Sequence, residues 1–190
     1  MSHFYAMLSR MKNINRWGLM RNTRNENLCE HSLEVAFIAH SLALIAKKQL
    51  GRTIDPDRCA VVAMFHDTSE IITGDMPTPI KYYNPEIKEA YKKIEAVAED
   101  QLINMLPEVM RDEFKEIYHP DEEITKIVKA ADKISALIKC IEEIKMGNME
   151  CRDAEESTRK IIDSLDMEEV NIFMKEYIDS FYLTLDKQQK

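Results

Sequence analysis

Apolar residues recur along most of this chain at intervals of three and four, which is the spacing of an amphipathic α-helix. No stretch alternates between apolar and polar residues over the length of a convincing strand. We therefore expect an all-α fold, with residues 1–190 forming a single helical domain. The predicted helices cover about 4–14, 28–48, 56–72, 85–106 and 120–146, with one or two more within 150–185.

The predicted helices have recognisable ends. Asp55 followed by Pro56 is typical of a helix start, because the acid caps the first turn and proline fits the first helical position. Gly74 is expected to end that helix. Residues 15–27 are polar, rich in Arg and Asn, and carry the only tryptophan, Trp17. We expect this segment to be a loop with a function.

Composition narrows the possible partners. The net charge of −8 argues against binding to nucleic acid or to an acidic membrane surface, since both need basic patches. No stretch approaches the ~18 apolar residues of a membrane span, so we expect no membrane partner. The N-terminal segment lacks a secretory signal, and the cysteines lack a CxxC pair, which favours reduced thiols in a cytoplasmic protein.

Four polar residues stand where the helix pattern calls for apolar ones: His31, His66, Asp67 and Asp132. Burying an unpaired imidazole or carboxylate costs on the order of several kcal/mol, and a divalent metal ion would pair with all four groups. A single buried histidine is more often a core residue that hydrogen-bonds to the backbone. Four such residues together predict a metal site whose ligands come from three helices.

The donor set also suggests the metal and its neighbour. Nitrogen and oxygen ligands suit Co²⁺, Mn²⁺, Zn²⁺, Fe²⁺ or Ni²⁺ better than a thiolate-binding ion. Glu70 lies one helical turn after His66, which places it near the ion, although most glutamates on helices are simply exposed. His40 is nine residues after His31 and faces the opposite side of the helix. We therefore expect a mononuclear site without His40.

These residues have the order H…HD…D of the HD-domain phosphohydrolases. The chain also closely resembles the bacterial 5′-deoxynucleotidases of that superfamily over nearly its whole length, through the strings INRWGLMRN, ENLCEHSLEVA, MFHDTSEIITGDMPTPIKYYN and VKAADKISALIKCIEE. The H…HD…D pattern alone is weakly specific for reaction type. The RW pair combined with HDxSE and GDxPTP is much more specific.

The resemblance implies an all-helical HD domain, a homodimer, one divalent metal ion per subunit, and hydrolysis of deoxyribonucleoside 5′-monophosphates to deoxyribonucleosides and phosphate. It implies that the four H…HD…D residues hold the metal, that Glu70 is the acid/base carboxylate and that Arg16 is catalytic. The residues implied to bind the substrate are Arg16, Trp17, His31, Asp67, Asp75, Met76, Pro77, Thr78 and Asp132.

Several of these residue types suit their implied roles. The planar guanidinium of Arg16 matches phosphate oxygens. Trp17 could form a rigid wall that a 2′-hydroxyl would strike, although a single tryptophan is more often a core anchor. Asp75 could bind a sugar hydroxyl or base edge, or simply cap the turn after Gly74. Two other functions remain open: an HD-domain hydrolase of a nucleoside triphosphate or phosphodiester, and a catalytically silent helical module with a structural metal.

Overall fold

The computed structural model describes residues 1–81 and 83–190, apart from the side chain of Thr78. Within these residues the chain forms helices and no strand, and the pairing of Asn15 with Asn27 is an isolated antiparallel bridge. The α-helices are α1 (Phe4–Leu8), α2 (Leu28–Lys48), α3 (Pro56–Phe65), α4 (Glu70–Thr73), α5 (Thr78–Lys81), α6 (Pro85–Asn104), α7 (Glu108–Tyr118), α8 (Glu122–Lys145), α9 (Arg152–Asp163), α10 (Glu168–Tyr177) and α11 (Leu185–Gln188). Short 3-10 helices cover Ser9–Asn13, Met149–Cys151 and Ile178–Tyr182.

Helices α2 and α8 form the centre of the bundle. Helix α2 packs against α3, α8 and α10, and α8 also packs against α9. Apolar side chains from these helices form the main core, among them Leu42, Val62, Ile134 and Phe173. Because each helix is apolar along one stripe, burying those stripes together supplies most of the stabilisation of the fold. The predicted all-α class is confirmed.

The ends of the central helices are well capped. The Asn27 side chain accepts hydrogen bonds from the Cys29 and Glu30 amides, and the Glu30 carboxylate accepts one from the Asn27 amide, which completes a capping box. Asp55 caps α3 through the amides of Asp57 and Arg58, as predicted.

Helix α2 is more apolar than expected from the sequence. Among the described residues it alone is long and apolar enough to cross a membrane, with a mean hydropathy of 1.3 over 18 residues. However, 56% of that window is buried inside the protein, as in an ordinary core helix. It also carries His31 and Glu34, which contact other helices.

The prediction of one continuous helix up to Ile72 is wrong. Helix α3 ends at Phe65, residues 66–69 form a turn, and α4 starts at Glu70. Within the turn, hydrogen bonds span three residues: the Thr68 amide donates to the Phe65 carbonyl and the Glu70 amide to the Asp67 carbonyl. This tighter winding changes the angle between neighbouring side chains from that of an α-helix.

Other parts of the helix prediction also need correction. The first helix is shorter than expected, since α1 ends at Leu8 and continues as a 3-10 helix. Helix α7 was missed entirely. Not every apolar position of the helix pattern is buried: Ile94 of α6 is 54% exposed and Met64 of α3 is 44% exposed. In contrast, the glycine stop at Gly74 is confirmed: its φ of 74° is left-handed, and its amide donates to the Glu70 carbonyl.

Candidate metal centre

The four H…HD…D residues come together from three parts of the fold. His31 lies in the first turns of α2, His66 and Asp67 in the turn after α3, and Asp132 in the middle of α8. His31 Nε2 lies 3.4 Å from Asp67 Oδ2 and 3.3 Å from Asp132 Oδ1, and His66 Nε2 lies 3.2 Å from Asp67 Oδ2. Ligand atoms of His31, His66 and Asp67 all fall within 4.8 Å of one another, so one ion can reach them.

The two imidazoles are oriented as metal ligands. Within the described residues, His31 Nε2 and His66 Nε2 are both buried and have no hydrogen-bond partner. His66 Nδ1 lies 2.7 Å from the Ala63 carbonyl oxygen. A carbonyl can only accept, so this nitrogen carries the proton and Nε2 presents its lone pair. These donors fit a divalent cation, because unpaired buried polar atoms otherwise carry a desolvation cost.

A second chain of hydrogen bonds sets the orientation of His31. Its Nδ1 lies 3.2 Å from Ser135 Oγ, and the Ser135 hydroxyl donates to Glu34 Oε2 over 2.5 Å. Because that hydroxyl proton is given to Glu34, Ser135 Oγ is left to accept from His31 Nδ1. When His31 is neutral, its Nε2 therefore presents a lone pair to the metal position.

The ionisation of the cluster depends on the close packing of these groups. Burial alone raises the pKa of Asp67, but the imidazoles of His66 and His31 outweigh this and hold it well below its usual range. Burial lowers the pKa of His31, yet Asp132 and Asp67 raise it to about 9. In the metal-free protein a proton thus occupies His31 at neutral pH, and a metal ion must displace it.

Arg16 enters the cluster from the loop 15–27. Its Nη1 donates to Asp67 Oδ2 over 3.0 Å, and its Nη2 lies 3.8 Å from Asp132 Oδ1. On the other side, its Nε donates to Glu26 Oε2 over 3.2 Å. The contacts with Glu26 and Asp67 use two of the five guanidinium N–H groups, which leaves others to bind an anion next to the metal position.

Trp17 occupies an unusual backbone conformation beside Arg16. Its φ of 60° is left-handed, which costs a bulky residue roughly 1–2 kcal/mol. Its indole Nε1 donates to Glu26 Oε2 over 3.0 Å, and its carbonyl accepts from the Met20 amide and the Asn22 side chain. Strain of this kind persists where the surroundings hold it in place, and it concentrates at functional sites.

The loop 15–27 is tied to the far end of α8. The Thr23 and Arg24 amides both donate to the carboxylate of Glu143, and Lys139 Nζ donates to the Arg24 carbonyl. Glu143 is only 1% exposed and also pairs with Lys139. These contacts hold the loop independently of its side chains near the metal position.

Glu70 starts α4 beside the cluster. It is 5% exposed, and its Oε2 has no hydrogen-bond partner among the described residues. Burial, together with the nearby carboxylates of Asp67 and Asp75, raises the pKa of Glu70 to about 9. In the metal-free protein the carboxyl group therefore holds a proton at neutral pH.

The segment after Gly74 lies against the same site. Burial raises the pKa of Asp75, while Arg16 and a hydrogen bond from the Trp17 backbone oppose that shift. Met76 and Pro77 are half-buried. The side chain of Thr78 lies outside the described residues. Asp75 is thus placed close to Arg16 and Trp17 of the loop.

A cavity of about 480 Å³ opens beside the cluster and offers room for a nucleotide-sized ligand. His66, Asp67 and Asp132 line it on one side, and Val62, Phe65 and Ile117 add apolar surface. Its polar and charged lining also includes Lys81, Glu99, Tyr118, Lys129 and Lys133. Three of the four H…HD…D residues, His66, Asp67 and Asp132, therefore border a space that a substrate can enter.

Sequence reasoning missed the residues that support the ligands. Ser135 is three residues after Asp132, and Glu34 is three after His31, so each shares a helix face with a predicted ligand. Tyr118 of the missed α7 lies 2.8 Å from Thr68 in the turn.

His40, which was not expected to be a ligand, lies at the surface, where its Nε2 is 3.4 Å from Asp57 Oδ1.

Comparison with solved structures agrees with the fold. The fold is similar to an HD-domain phosphohydrolase from Listeria innocua, with a TM-score of 0.82 and 22% identity over 99% of this chain and 92% of that one. It is also similar to the HD phosphohydrolase DatZ of cyanophage S-2L, which was solved with dA and one catalytic Zn²⁺. That match has a TM-score of 0.68 and 22% identity over 94% and 96% of the two chains.

Sequence comparison then gives the family. A model of the YfbR-like 5′-deoxynucleotidases matches residues 3–181. A 5′-deoxynucleotidase of Vibrio cholerae is 51% identical over 191 residues, covering 98% of this chain and 97% of that protein. The chain belongs to the YfbR-like 5′-deoxynucleotidase family.

Proposed function

We propose that this chain is a divalent-metal-dependent 5′-deoxynucleotidase, a phosphomonoester hydrolase that converts deoxyribonucleoside 5′-monophosphates to deoxyribonucleosides and phosphate. The observation that carries the proposal is the pair of buried, unpartnered Nε2 atoms of His31 and His66, which face two carboxylates at the edge of a nucleotide-sized cavity. The 5′-deoxynucleotidase of Vibrio cholerae supports the reaction class. Residues 1–190 act as one HD domain in this proposal.

His31, His66, Asp67 and Asp132 would hold one divalent ion per subunit. A bound divalent ion withdraws charge from phosphoryl oxygens and lowers the pKa of water toward neutrality. The nitrogen and oxygen donors suit Co²⁺, Mn²⁺, Zn²⁺, Fe²⁺ or Ni²⁺. The Zn²⁺ in the structure of DatZ supports an ion of this group.

Arg16 binds and orients the phosphate. Its guanidinium already lies within 3.0 Å of Asp67, so its remaining N–H groups reach the region beside the metal position. Paired N–H donors in one plane match two phosphate oxygens and keep the phosphorus in line for attack. In our proposal His31, Asp67 and Asp132 border the phosphate from the metal side.

Glu70 moves the proton. Its unpartnered Oε2 and its proton at neutral pH in the metal-free protein suit a general acid that protonates the departing 5′-oxygen. The same carboxylate can serve as a base toward water when it is ionised. Its burial excludes bulk water, so the proton passes between Glu70 and the reacting groups.

Trp17 selects the sugar. Held by Glu26 and by its own backbone contacts, the indole forms a rigid wall of the site, and a ribose 2′-hydroxyl would collide with it. Asp75, Met76, Pro77 and Thr78 form the opposite part of the nucleoside site in this proposal.

We also propose a cytoplasmic homodimer. Leu33, Phe37 and Leu44 are exposed along one face of α2, which supplies apolar surface for a second copy. The cysteines Cys29, Cys59, Cys140 and Cys151 are all free thiols, as expected in a reducing compartment. Light scattering coupled to size-exclusion chromatography tests the dimer.

A phosphate-release screen tests the function directly. All ribo- and deoxyribonucleoside 5′-monophosphates, with 3′-monophosphates as controls, are assayed against a panel of divalent ions. We expect phosphate from deoxyribonucleoside 5′-monophosphates with Co²⁺ or Mn²⁺, much less from ribonucleotides and none from 3′-monophosphates. Equal turnover of ribo- and deoxyribonucleotides would remove the sugar selection, and release of triphosphate from nucleoside triphosphates would favour a different HD-domain reaction.

A further inference from the structure

One carboxylate oxygen connects the two loop residues that the proposed function uses. Glu26 Oε2 accepts a hydrogen bond from Arg16 Nε over 3.2 Å and another from Trp17 Nε1 over 3.0 Å. The Glu26 carbonyl also accepts from the Arg16 amide over 2.9 Å. The side chains of Glu26 and Arg16 are only 13% and 14% exposed, so solvent competes weakly for these bonds.

We propose that Glu26 is a positioning residue that aims Arg16 at the phosphate and immobilises the Trp17 indole against the sugar. This inference rests on the proposed function, in which Arg16 and Trp17 contact the substrate. It adds that phosphate binding and sugar selection share one support, so that loss of the Glu26 side chain weakens both.

The geometry of the guanidinium explains the first half of this role. Glu26 holds Nε at one edge of the group, while Asp67 contacts Nη1 at another. These two contacts fix the plane of the guanidinium and point its remaining N–H groups toward the metal position. Without Glu26, Arg16 keeps only its carboxylate partners in the metal cluster, and the plane is free to rotate about the remaining bonds.

The indole explains the second half. The Trp17 backbone is already in a left-handed conformation, so small changes of local support can release its side chain. Within the described residues, the bond to Glu26 is the one hydrogen bond of its indole N–H. The indole excludes a 2′-hydroxyl only if its own position is fixed, and the hydrogen bond to Glu26 restricts its movement.

Removal of the Glu26 side chain should leave the rest of the site in place. The loop is held separately by Glu143, whose carboxylate accepts from the Thr23 and Arg24 amides. No hydrogen bond or ion pair of the described residues joins the Glu26 carboxylate to His31, His66, Asp67 or Asp132. We therefore expect the affinity for the metal to be unchanged when the Glu26 side chain is removed.

The first experiment uses fluorescence, because Trp17 is the only tryptophan in the chain. In the metal-free protein we expect Glu26→Ala to increase acrylamide quenching of Trp17 emission. Glu26→Gln keeps a neutral oxygen that accepts from the indole, so it should restore part of the protection. The matched control is Glu142→Ala. Glu142 is an exposed carboxylate on α8 that lines a small polar pocket together with Glu26, and no hydrogen bond or ion pair of the described residues joins it to Arg16 or Trp17.

The second experiment measures kinetics on matched deoxy and ribo substrates. A hydrogen bond to a charged group contributes about 1.5–3 kcal/mol, so Glu26→Ala should lower kcat/KM for the deoxyribonucleotide about tenfold or more. The deoxy-to-ribo ratio should fall severalfold as well. In a Trp17→Phe background, which lacks the indole N–H, Glu26→Ala should no longer change that ratio, although kcat/KM should still fall through Arg16. Bound metal, measured by elemental analysis, should be unchanged throughout.

The outcomes separate this inference from the function on which it rests. If the wild-type protein hydrolyses deoxyribonucleotides and Glu26→Ala changes neither Trp17 quenching nor the deoxy-to-ribo ratio, the positioning role is wrong. If the wild-type protein releases no phosphate from any nucleotide, the proposed function fails, while the quenching comparison still tests the contact with Trp17. Should Glu26→Ala fail to fold, Glu26→Gln carries the same comparison, with a neutral oxygen that still supports the indole but gives Arg16 no charged partner.

Discussion

The site is built from two kinds of structure that differ in how they are held. His31 and Asp132 lie on α2 and α8, the two long helices at the centre of the core, and their positions are set by apolar packing. Arg16, Trp17 and Asp67 lie on the loop 15–27 and the turn 66–69, where polar contacts determine the conformation. The scaffold is therefore apolar and periodic, whereas three residues of the proposed site lie on irregular segments.

Two consecutive residues of the proposed metal site, His66 and Asp67, lie in the irregular part. On a continuous helix, His66 and Asp67 would point about 100° apart. In the tighter turn that follows α3, His66 Nε2 and Asp67 Oδ2 lie 3.2 Å apart. Thr68, whose side chain bonds the Phe65 carbonyl and Tyr118 of α7, holds the turn in that shape. A 3-10 turn separates neighbouring side chains by about 120°, so the conformations of the two side chains, and not the winding of the backbone, bring these atoms together.

The largest expected effect is on the chemical step. Glu70→Gln keeps the size of the side chain but cannot exchange a proton, so kcat should fall roughly 10²–10⁴-fold. Metal content should remain at the wild-type level, because the proposed ligands are untouched. Activity close to wild type in this variant would show that another group moves the proton.

The helical part of the site is tested by Ser135→Ala. Loss of the hydroxyl that orients His31 should weaken metal binding about 10–100-fold, as measured by competition with a chelator. Ser32→Ala is the matched control: Ser32 is the neighbour of His31 and is equally buried, but its hydroxyl has no partner among the described residues. Equal metal affinity in both variants would contradict the orienting role of Ser135.

The irregular part is tested by Trp17→Ala. Removal of the indole should narrow the preference for deoxyribonucleotides about tenfold, because the wall against the 2′-hydroxyl is lost. Metal binding should not change, since Trp17 contacts none of the four ligands in the described hydrogen bonds. A deoxy-to-ribo ratio equal to that of the wild type would exclude Trp17 from sugar selection.

The smallest expected effect concerns stability and pH in the metal-free protein. Burial raises the pKa of Glu70 from 4.5 to about 9, so the unfolded chain ionises first and the folded state loses stability as pH rises between these values. Glu70→Gln removes this loss. Its melting temperature relative to wild type should therefore increase by a few degrees between pH 5 and pH 8. A constant difference across that range would show that Glu70 ionises normally.

The spacing of apolar residues made the long helices predictable, but not the turn after α3 or helix α7. His31 and Asp132 were identifiable because each is polar on an apolar stripe of a long helix. The sequence at the break after Phe65 contains neither glycine nor proline. The spacing of apolar residues continues across it, so nothing in the sequence marks the end of α3. Helix α7 has Met110, Phe114 and Ile117 at helical spacing, but only the last two are buried, and its charged residues obscured the signal.

Supporting contacts were the least predictable, because they join residues far apart in the chain. Ser135 and Glu34 are 101 positions apart, and no local pattern indicates that they meet. Glu26 lies in a polar loop among other charged residues, and only the three-dimensional structure shows that it serves two neighbours at once. The resemblance to known 5′-deoxynucleotidases named the residues expected to touch the substrate or the metal, but not the residues behind them.

Helix α8 fixes the distance between two parts of the proposed site. It carries Asp132 at the proposed metal position. About three turns further on it carries Glu143, whose carboxylate accepts hydrogen bonds from the Thr23 and Arg24 amides. At 1.5 Å per residue this separation is about 16.5 Å, and it sets the distance between the loop and the proposed metal position. Insertion of one residue between Asp132 and Glu143 would rotate one of them relative to the other by about 100° around the helix axis. We therefore expect insertions and deletions between these two residues to be tolerated far less than substitutions.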